Sequence, residues 1–309
     1  MKINDNIAAL NAYTNLLRTG RNMDKSVARL SSGYKINSVA DDAAGMAISR
    51  KLKNQINGMS MAARNALDGV SLVGTAEGAL NEVHNMLNRI RELAIQAAND
   101  TNMPEDREKM QLEIDNLLRE INDIAYKTEF NTIKILGGEA EALPDTYSDC
   151  DAGFRGLRIQ IGVNKGMTMT INIPDIRQII NDVFNDPAAG YNTGFTLPPG
   201  APFPLNDFEA VNVLDQRQAN LTIGFTDDVI SQISKVRAQL GAYENRLRYT
   251  ENSLNATREH TEAALSRVKD TDMALEMTYN VQYSIITQAG IAILGQANQR
   301  PQQILQLLQ

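Results

Sequence analysis

The chain has 309 residues, with 37 acidic and 30 basic side chains, a net charge of −7, two histidines, one cysteine and no tryptophan. Disulfide scaffolds, Cys/His zinc sites and Cys-rich clusters are poorly served by that inventory, and no Lys/Arg-rich run points to nucleic acid. The length suggests two domains, and with aromatic residues at 5% any core is mainly aliphatic. The nine prolines fall at 104, 144, 174, 187, 198, 199, 202, 204 and 301, which leaves residues 1–103 and 205–300 free of them. Proline inside a helix costs about 3 kcal/mol, so the two free blocks predict two long helical arms around a non-helical middle.

Residues 1–34 carry a weak helical pattern at Ile3, Ile7, Leu10, Thr14 and Leu17, then Val27 and Leu30. Asp41 and Asp42 precede Ala-Ala-Gly, which offers a cation no further ligands, so the pair reads as a loop or helix N-terminus. From Ala66 the pattern becomes a heptad seam: Ala66, Gly69, Val73, Ala76, Leu80, Val83, Leu87, Ile90, Ala94 and Ala97 follow steps of three and four. Gly69, Gly74 and Gly78 each cost about 1 kcal/mol in a helix; close helix packing explains them better than a phosphate cradle, since no Gly-Lys-Ser/Thr follows. Pro104 breaks the helix, and Asn102 with Glu105 reads as a capping box for the next one. The seam resumes at Met110, Ile114, Leu117, Ile121 and Ile124.

Residues 157–173 alternate around Asn164, Lys165 and Gly166, with Leu157, Ile159, Ile161, Val163, Met167, Met169, Ile171 and Ile173 as the apolar set, which predicts a β-hairpin. Residues 184–208 hold five prolines and three glycines and read as loop. The second arm runs through Val229, Ile233, Val236, Leu240, Tyr243, Leu247, Thr250, Leu254, Thr257, Thr261, Ala264, Val268, Thr271 and Leu275. As one helix it would be about 70 Å long, too long for a compact domain. Its threonines and alanines predict a bundle in which polar seam positions face further partners.

Between Met277 and Gln299 no residue is charged. A transmembrane helix is a poor reading, because Asn280, Gln282, Gln288, Gln296, Asn298 and Gln299 are too polar for lipid. An uncharged, amide-rich segment anchored by Val281, Ile285, Ile286, Ile293 and Leu294 suits burial between protein subunits, with Gly290 and Gly295 allowing close approach. Docking of that helix on its own bundle remains the alternative. Such ends are marginal alone and would order on assembly. The N-terminus lacks the apolar core of a secretory signal, which by itself predicts a cytosolic protein.

Candidate chemistry is sparse. His84 lies beside the seam and His260 beside Glu259 and Glu262; both read as structural or solvated, and no His-Glu-x-x-His occurs. Cys150, between Asp149 and Asp151, sits among charges that disfavour its thiolate. Neither a catalytic site, a metal site nor a cofactor is expected.

Several stretches carry a resemblance. Residues 30–49 (LSSGYKINSVADDAAGMAIS), 65–80 (NALDGVSLVGTAEGAL), 130–136 (FNTIKIL), 159–164 (IQIGVN) and 288–299 (QAGIAILGQANQ) closely resemble the signatures of bacterial flagellins. The likeness covers roughly residues 1–175 and 222–309, and the middle does not match.

The resemblance implies a mainly α fold: a long antiparallel coiled-coil helix bundle made from both chain termini, with a small β-hairpin region in the middle. It implies an inner terminal core domain of residues 1–40 plus 274–309. A helical rod domain would comprise 41–180 plus 222–273, and a short variable insert 181–221. The subunit interface is expected at Ile3, Ile7, Leu10, Leu17, Val281, Ile285, Ile293, Leu294, Leu305 and Leu308. The implied function is self-assembly into the helical flagellar filament used for motility.

Further implied partners are an export chaperone at the C-terminal segment, filament cap proteins and hook-associated proteins, with no nucleic acid and no membrane insertion. Export through a type III apparatus to an extracellular filament would replace the missing signal. Residues 89–96 (RIRELAIQ) are similar to a stretch sensed by a vertebrate Toll-like receptor, which implicates Arg89 and Leu93, with Glu113; lateral packing between subunits is the competing role. Three alternatives stay open. They are a hook–filament junction protein of the same family, a protease grafted into the middle, against which the short insert argues, and an unrelated secreted coiled-coil adhesin.

Overall fold

The computed structural model describes residues 6–136, 156–184 and 211–307, with backbone alone from residue 300. Cys150 and the prolines at 144, 187, 198, 199, 202 and 204 lie outside the described residues, as do Ile3 and Leu308. Six helices and four short strands follow in chain order: α1 (Ile7–Ser32), α2 (Ala43–Ala97), α3 (Pro104–Lys127), β1 (Glu129–Phe130), β2 (Ile133–Lys134), β3 (Leu157–Gln160), β4 (Thr168–Ile171), α4 (Ile176–Phe184), α5 (Gln216–Lys269) and α6 (Met273–Leu307). The chain divides into two compact units, Met1–Gly58 with Ala256–Gln309, and Met59–Asn255.

The larger unit holds the core. Every seam residue expected between Ala66 and Ala97 is buried, most of them completely. They pack against Val229, Ile233, Val236, Leu240 and Leu247 of α5, and against Met110, Ile114, Leu118 and Ile121 of α3. Cross-links of charge fix α2 and α5 as antiparallel neighbours: Arg237 pairs with Glu77 at 2.7 Å and Arg91 with Asp227 at 2.6 Å. In α3 the expected seam positions Leu117 and Ile124 are only half-buried, and the adjacent Leu118 and Ala125 are buried instead. That helix meets its neighbours over a wider face than a strict heptad seam.

The β3–β4 hairpin forms where alternation predicts it, in the register Leu157↔Ile171 and Ile159↔Met169, with Gly166 at φ 87° in its turn. Met169 and Ile171 point into the core. A second hairpin, β1–β2, turns through Asn131 and Thr132, both with positive φ (49° and 67°). For threonine that left-handed conformation is strained.

Two expectations need correcting, and one helix has no counterpart in the sequence reading. Asn102 does not cap α3: the cap is Met103, without a side-chain bond, and Pro104 occupies the first turn. The Asn102 amide instead donates back to the Gln96 carbonyl at 2.5 Å, so it closes the end of α2. The second arm is not one helix: it breaks between Lys269 and Met273, because the Asp272 carboxylate accepts from the backbone of Ala274 (2.9 Å) and Leu275 (3.1 Å) and starts a new helix there. The loop expected over 184–208 lies, beyond Phe184, outside the described residues; before it the chain forms α4, whose Ile176 and Val183 are buried and whose Ile179 and Ile180 pack on the core.

Candidate functional site

The smaller unit is built mainly from α1 and α6, packed side by side. Asn6 caps α1 by accepting from the Ala9 backbone, while its amide donates to the Ala297 carbonyl at 2.8 Å. Gly33 ends α1 in the left-handed conformation (φ 74°), which only glycine adopts freely. A short β-bridge then joins Tyr34 to Asp270: Lys35 donates to the Lys269 carbonyl and Thr271 to the Gly33 carbonyl. The Lys269 ammonium lies over the Tyr34 ring, 3.8 Å from its centre.

Asp41 and Asp42 have the capping role that the sequence suggests. Asp42 accepts from Gly45 at 2.9 Å and starts α2. Asp41 accepts from Asn37 and from both the backbone and the hydroxyl of Ser38. The Ser38 backbone N–H holds the Asp41 pKa below the usual carboxylate value, its hydroxyl and Asn37 add to this, and partial desolvation opposes it.

Among its described residues this unit lacks an interior: the buried apolar side chains are Ile36 and Ile56. On α1 the only buried residue is Ser26, and on the described side chains of α6 the only one is Glu276. The apolar residues stand outside instead. Ile7 is 67% exposed, Leu10 63%, Val281 53%, Ile285 61% and Ile293 56%. Leu17 is also exposed and Leu294 half-buried. Leu305 lies on the backbone-only end of α6. Ile7, Leu10, Thr14 and Leu17 follow steps of three and four, so they share one face of α1. Tyr13, Tyr279 and Ile291 add to the exposed apolar surface; a residue outside the main stripe carries no periodic signal in the sequence.

Within the larger unit the residues that the sequence resemblance implicates in receptor sensing are split. Arg89 forms exposed ion pairs with Glu113 at 2.9 Å and Glu92 at 3.1 Å, and the hydrogen bond it donates to Glu113 raises its pKa first, then the one it donates to Glu92. Leu93, by contrast, is buried in the core at 3% exposure.

The glycines divide too. A Cβ on Gly69 would come within 2.6 Å of Ile159 Cδ1 and 3.1 Å of Leu247 Cδ1, so this helix does pack closely there. Gly74 and Gly78 face open space, which removes close packing within the chain as their explanation. Gly290 lies against Leu16, 3.2 Å from where its Cβ would be, whereas Gly295 meets nothing.

Chemistry finds little footing. His84 is half-buried with its Nδ1 unpartnered, and His260 is exposed. Among the described residues no group of three or more His, Cys, Asp or Glu is placed to hold a metal ion. The pocket between α3 and α4, bordered by Leu118, Ile121, Ile176 and Ile180, has a volume of about 10 Å³, room for a water and nothing larger. No helix among the described residues is long and apolar enough to cross a membrane.

Comparison with known proteins adds three findings. Residues 3–141 match the family described as "Bacterial flagellin N-terminal helical region", and residues 223–308 match "Bacterial flagellin C-terminal helical region". Over the full length of both chains, the sequence is 41% identical to the "Flagellin" of Bacillus subtilis and 35% identical to the "Flagellar filament 33 kDa core protein" of Treponema phagedenis. A solved structure from Vibrio parahaemolyticus, described as a flagellar hook-associated protein, shares the fold at a TM-score of 0.56 and 16% identity, covering 74% of this chain and all of that one.

Proposed function

The chain belongs to the bacterial flagellin family and is a structural subunit of the flagellar filament; from that premise we propose which of its surfaces make the filament and which partners they meet. The subunit polymerises with copies of itself through the apolar residues that α1 and α6 leave uncovered: Ile7, Leu10, Leu17, Val281, Ile285, Ile293 and Leu294. Ile3, Leu305 and Leu308 extend the same surface in sequence. The single observation that carries this is the absence of an interior in the smaller unit beside its row of exposed aliphatic side chains. An unbounded helical array lets each copy cover its neighbour's face, and burial of each Leu or Ile contributes about 1.5–3 kcal/mol.

The functional division follows from this. Residues 1–40 with 274–309 form an assembling domain, residues 41–180 with 222–273 a self-stabilised rod domain, and residues 181–221 a variable insert. Neither part performs catalysis. Before assembly the uncharged segment after Glu276 needs cover, which suits an export chaperone on the way to an extracellular filament. Filament cap and hook-associated proteins would meet the same apolar ends. A Toll-like receptor would meet the exposed Arg89–Glu113 pair, with Leu93 holding that face in shape from beneath the surface. The hook-associated role is not favoured, since the full-length relatives are named for the filament.

Deleting residues 278–309 tests the assembly reading. The shortened chain should keep a cooperative thermal transition and form no filaments in seeded polymerisation viewed by electron microscopy. Normal filaments from the truncated chain would sink it.

A further inference from the structure

The antiparallel pairing of α1 with α6 poses a physical problem that the exposed apolar surface does not solve. After Glu276 the α6 sequence is uncharged as far as Gln299, and it repeats small and aliphatic residues along its length. Such a helix can slide along a partner by a heptad and recover nearly equivalent apolar contacts, because nothing in a uniform seam distinguishes one position from the next. Yet the observed pairing is a single one. Asn6 bonds to Ala297, Leu16 lies against Gly290, and Ser26 with Arg29 meets Glu276.

One of these three contacts differs in kind. Ser26 is the only buried residue of α1, Glu276 the only buried residue among the described side chains of α6, and they face each other. The Ser26 hydroxyl donates to the Glu276 carbonyl at 3.3 Å, and the Arg29 guanidinium stands 3.8 Å from the Glu276 carboxylate. The Glu276 side chain is 8% exposed, and it is the last carboxylate side chain in the sequence. A buried carboxylate without its cation is costly. Sliding α6 by seven residues would carry Glu276 away from Arg29, bringing Tyr283 to its place in one direction and running off the start of α6 at Met273 in the other. The apolar Leu16–Gly290 contact carries no such penalty, and the Asn6 amide bonds to a backbone carbonyl, a group that every residue of α6 carries.

The Tyr34–Asp270 bridge joins the end of α1 to the residues just before α6; along the helices beyond it, we propose that Glu276 is the positioning residue that sets the register of α6 on α1, acting through Arg29 and Ser26, while the apolar residues beyond it supply adhesion without choosing the alignment. Buried polar groups that specify alignment are best attested in helical pairs, where one such group excludes slipped alternatives. The inference concerns pairing within one chain and does not depend on the assembly reading, although assembly would inherit a slipped register.

Cysteine pairs in the full-length chain, with Cys150→Ser to remove the native thiol, test it. Leu16→Cys with Gly290→Cys reports the observed register. Leu16→Cys with Tyr283→Cys, and with Ala297→Cys, report slips of seven residues in either direction. Oxidation is followed before and after polymerisation, with intramolecular bridges separated from intermolecular ones by gel mobility. Polymerisation of the unsubstituted chain tests the assembly reading separately.

With Glu276 intact, the Leu16–Gly290 pair should close at least tenfold more completely than either slipped pair. Glu276→Leu should raise closure of a slipped pair to within about threefold of the native one. The exchange Arg29→Glu with Glu276→Arg should restore the native preference, whereas Glu276→Arg alone should not. Unchanged preference in Glu276→Leu would overturn the proposal. So would loss of closure in all three reporters, since Glu276 would then hold the helices together rather than align them. A slip that the charge exchange fails to correct would overturn the role of Arg29.

Discussion

The two units are made from the same kinds of helix and differ in where the apolar residues go. Between Met59 and Asn255 the aliphatic side chains meet across four helices and a hairpin, and Leu80, Ile90, Ile114, Ile233 and Leu240 lose essentially all contact with water. In the unit made of both ends, comparable side chains lie on the outside, and Ser26 and Glu276 occupy the buried positions on α1 and α6. The first arrangement is a finished domain. The second, on the reading proposed above, is half of an interface: where the chain supplies only two elements to a seam, other copies of it would supply the rest.

The largest test of this contrast is a pair of matched truncations. Leu240→Ala should destabilise the monomer by about 2–5 kcal/mol, as filled cores do. Ile285→Ala should change monomer stability by less than about 0.5 kcal/mol and yet raise the concentration needed for polymerisation. Chemical denaturation and a critical-concentration assay read the two quantities. Equal losses of monomer stability would break the contrast.

Glycine exchanges in α2 sharpen it further. Gly74→Ala and Gly78→Ala add a methyl group to open space and should stabilise by up to about 1 kcal/mol. Gly69→Ala should fall at least about 1 kcal/mol below them, because Ile159 and Leu247 must move aside. Thermal melts of the three variants give the order, and an equal gain at all three would mean that α2 is not closely packed at Gly69. In the β1–β2 turn, Thr132→Gly should stabilise by about 1 kcal/mol by relieving the left-handed threonine; a loss of stability would show that its hydroxyl, which donates to the Asn131 carbonyl, outweighs the strain.

The smallest effect belongs to Asp41. Its pKa is lowered by folding, so its contribution is present above the unfolded value of about 3.9 and fades as the pH falls through the lower folded value. Asp41→Asn should be less stable than the parent near neutrality, and the gap should close in acid. A gap of constant size from pH 6 to pH 2 would remove the carboxylate charge as its cause.

Much of this was legible in the sequence, and the particular failures have physical reasons. The α2 seam from Ala66 to Ala97 could be read because a long uniform period leaves no competing account. The second arm could be read as helix as far as Lys269 and no further. Its break at 270–272 contains neither proline nor glycine, and an aspartate that starts a helix looks like one more charged residue on an exposed face. The α4 helix carried its signal in Ile176, Ile179, Ile180 and Val183, spaced for one helical face, but the neighbouring proline-rich stretch outweighed it. Asn102 had the right spacing for a capping box and a better acceptor one loop behind it. At the candidate site, the apolar residues of α1 and α6 were visible by type. That Glu276 lay buried among them was not, because burial of a single carboxylate depends on a partner 247 positions away, Arg29.

One further contact has a consequence for engineering. The Gln111 side chain acts as a piece of backbone: its amide donates to the Val211 carbonyl at 2.9 Å and its oxygen accepts from the Val213 N–H at 2.8 Å. With α4 also packed on α3, the chain both departs for residues 185–210 and returns from them on one helix. The two ends of that stretch are thus clamped like the terminals of a socket. Doubling the length of what is spliced between them adds only about 0.6 kcal/mol of closure entropy, so the socket should accept foreign peptides of very different size while α3 keeps its place in the core.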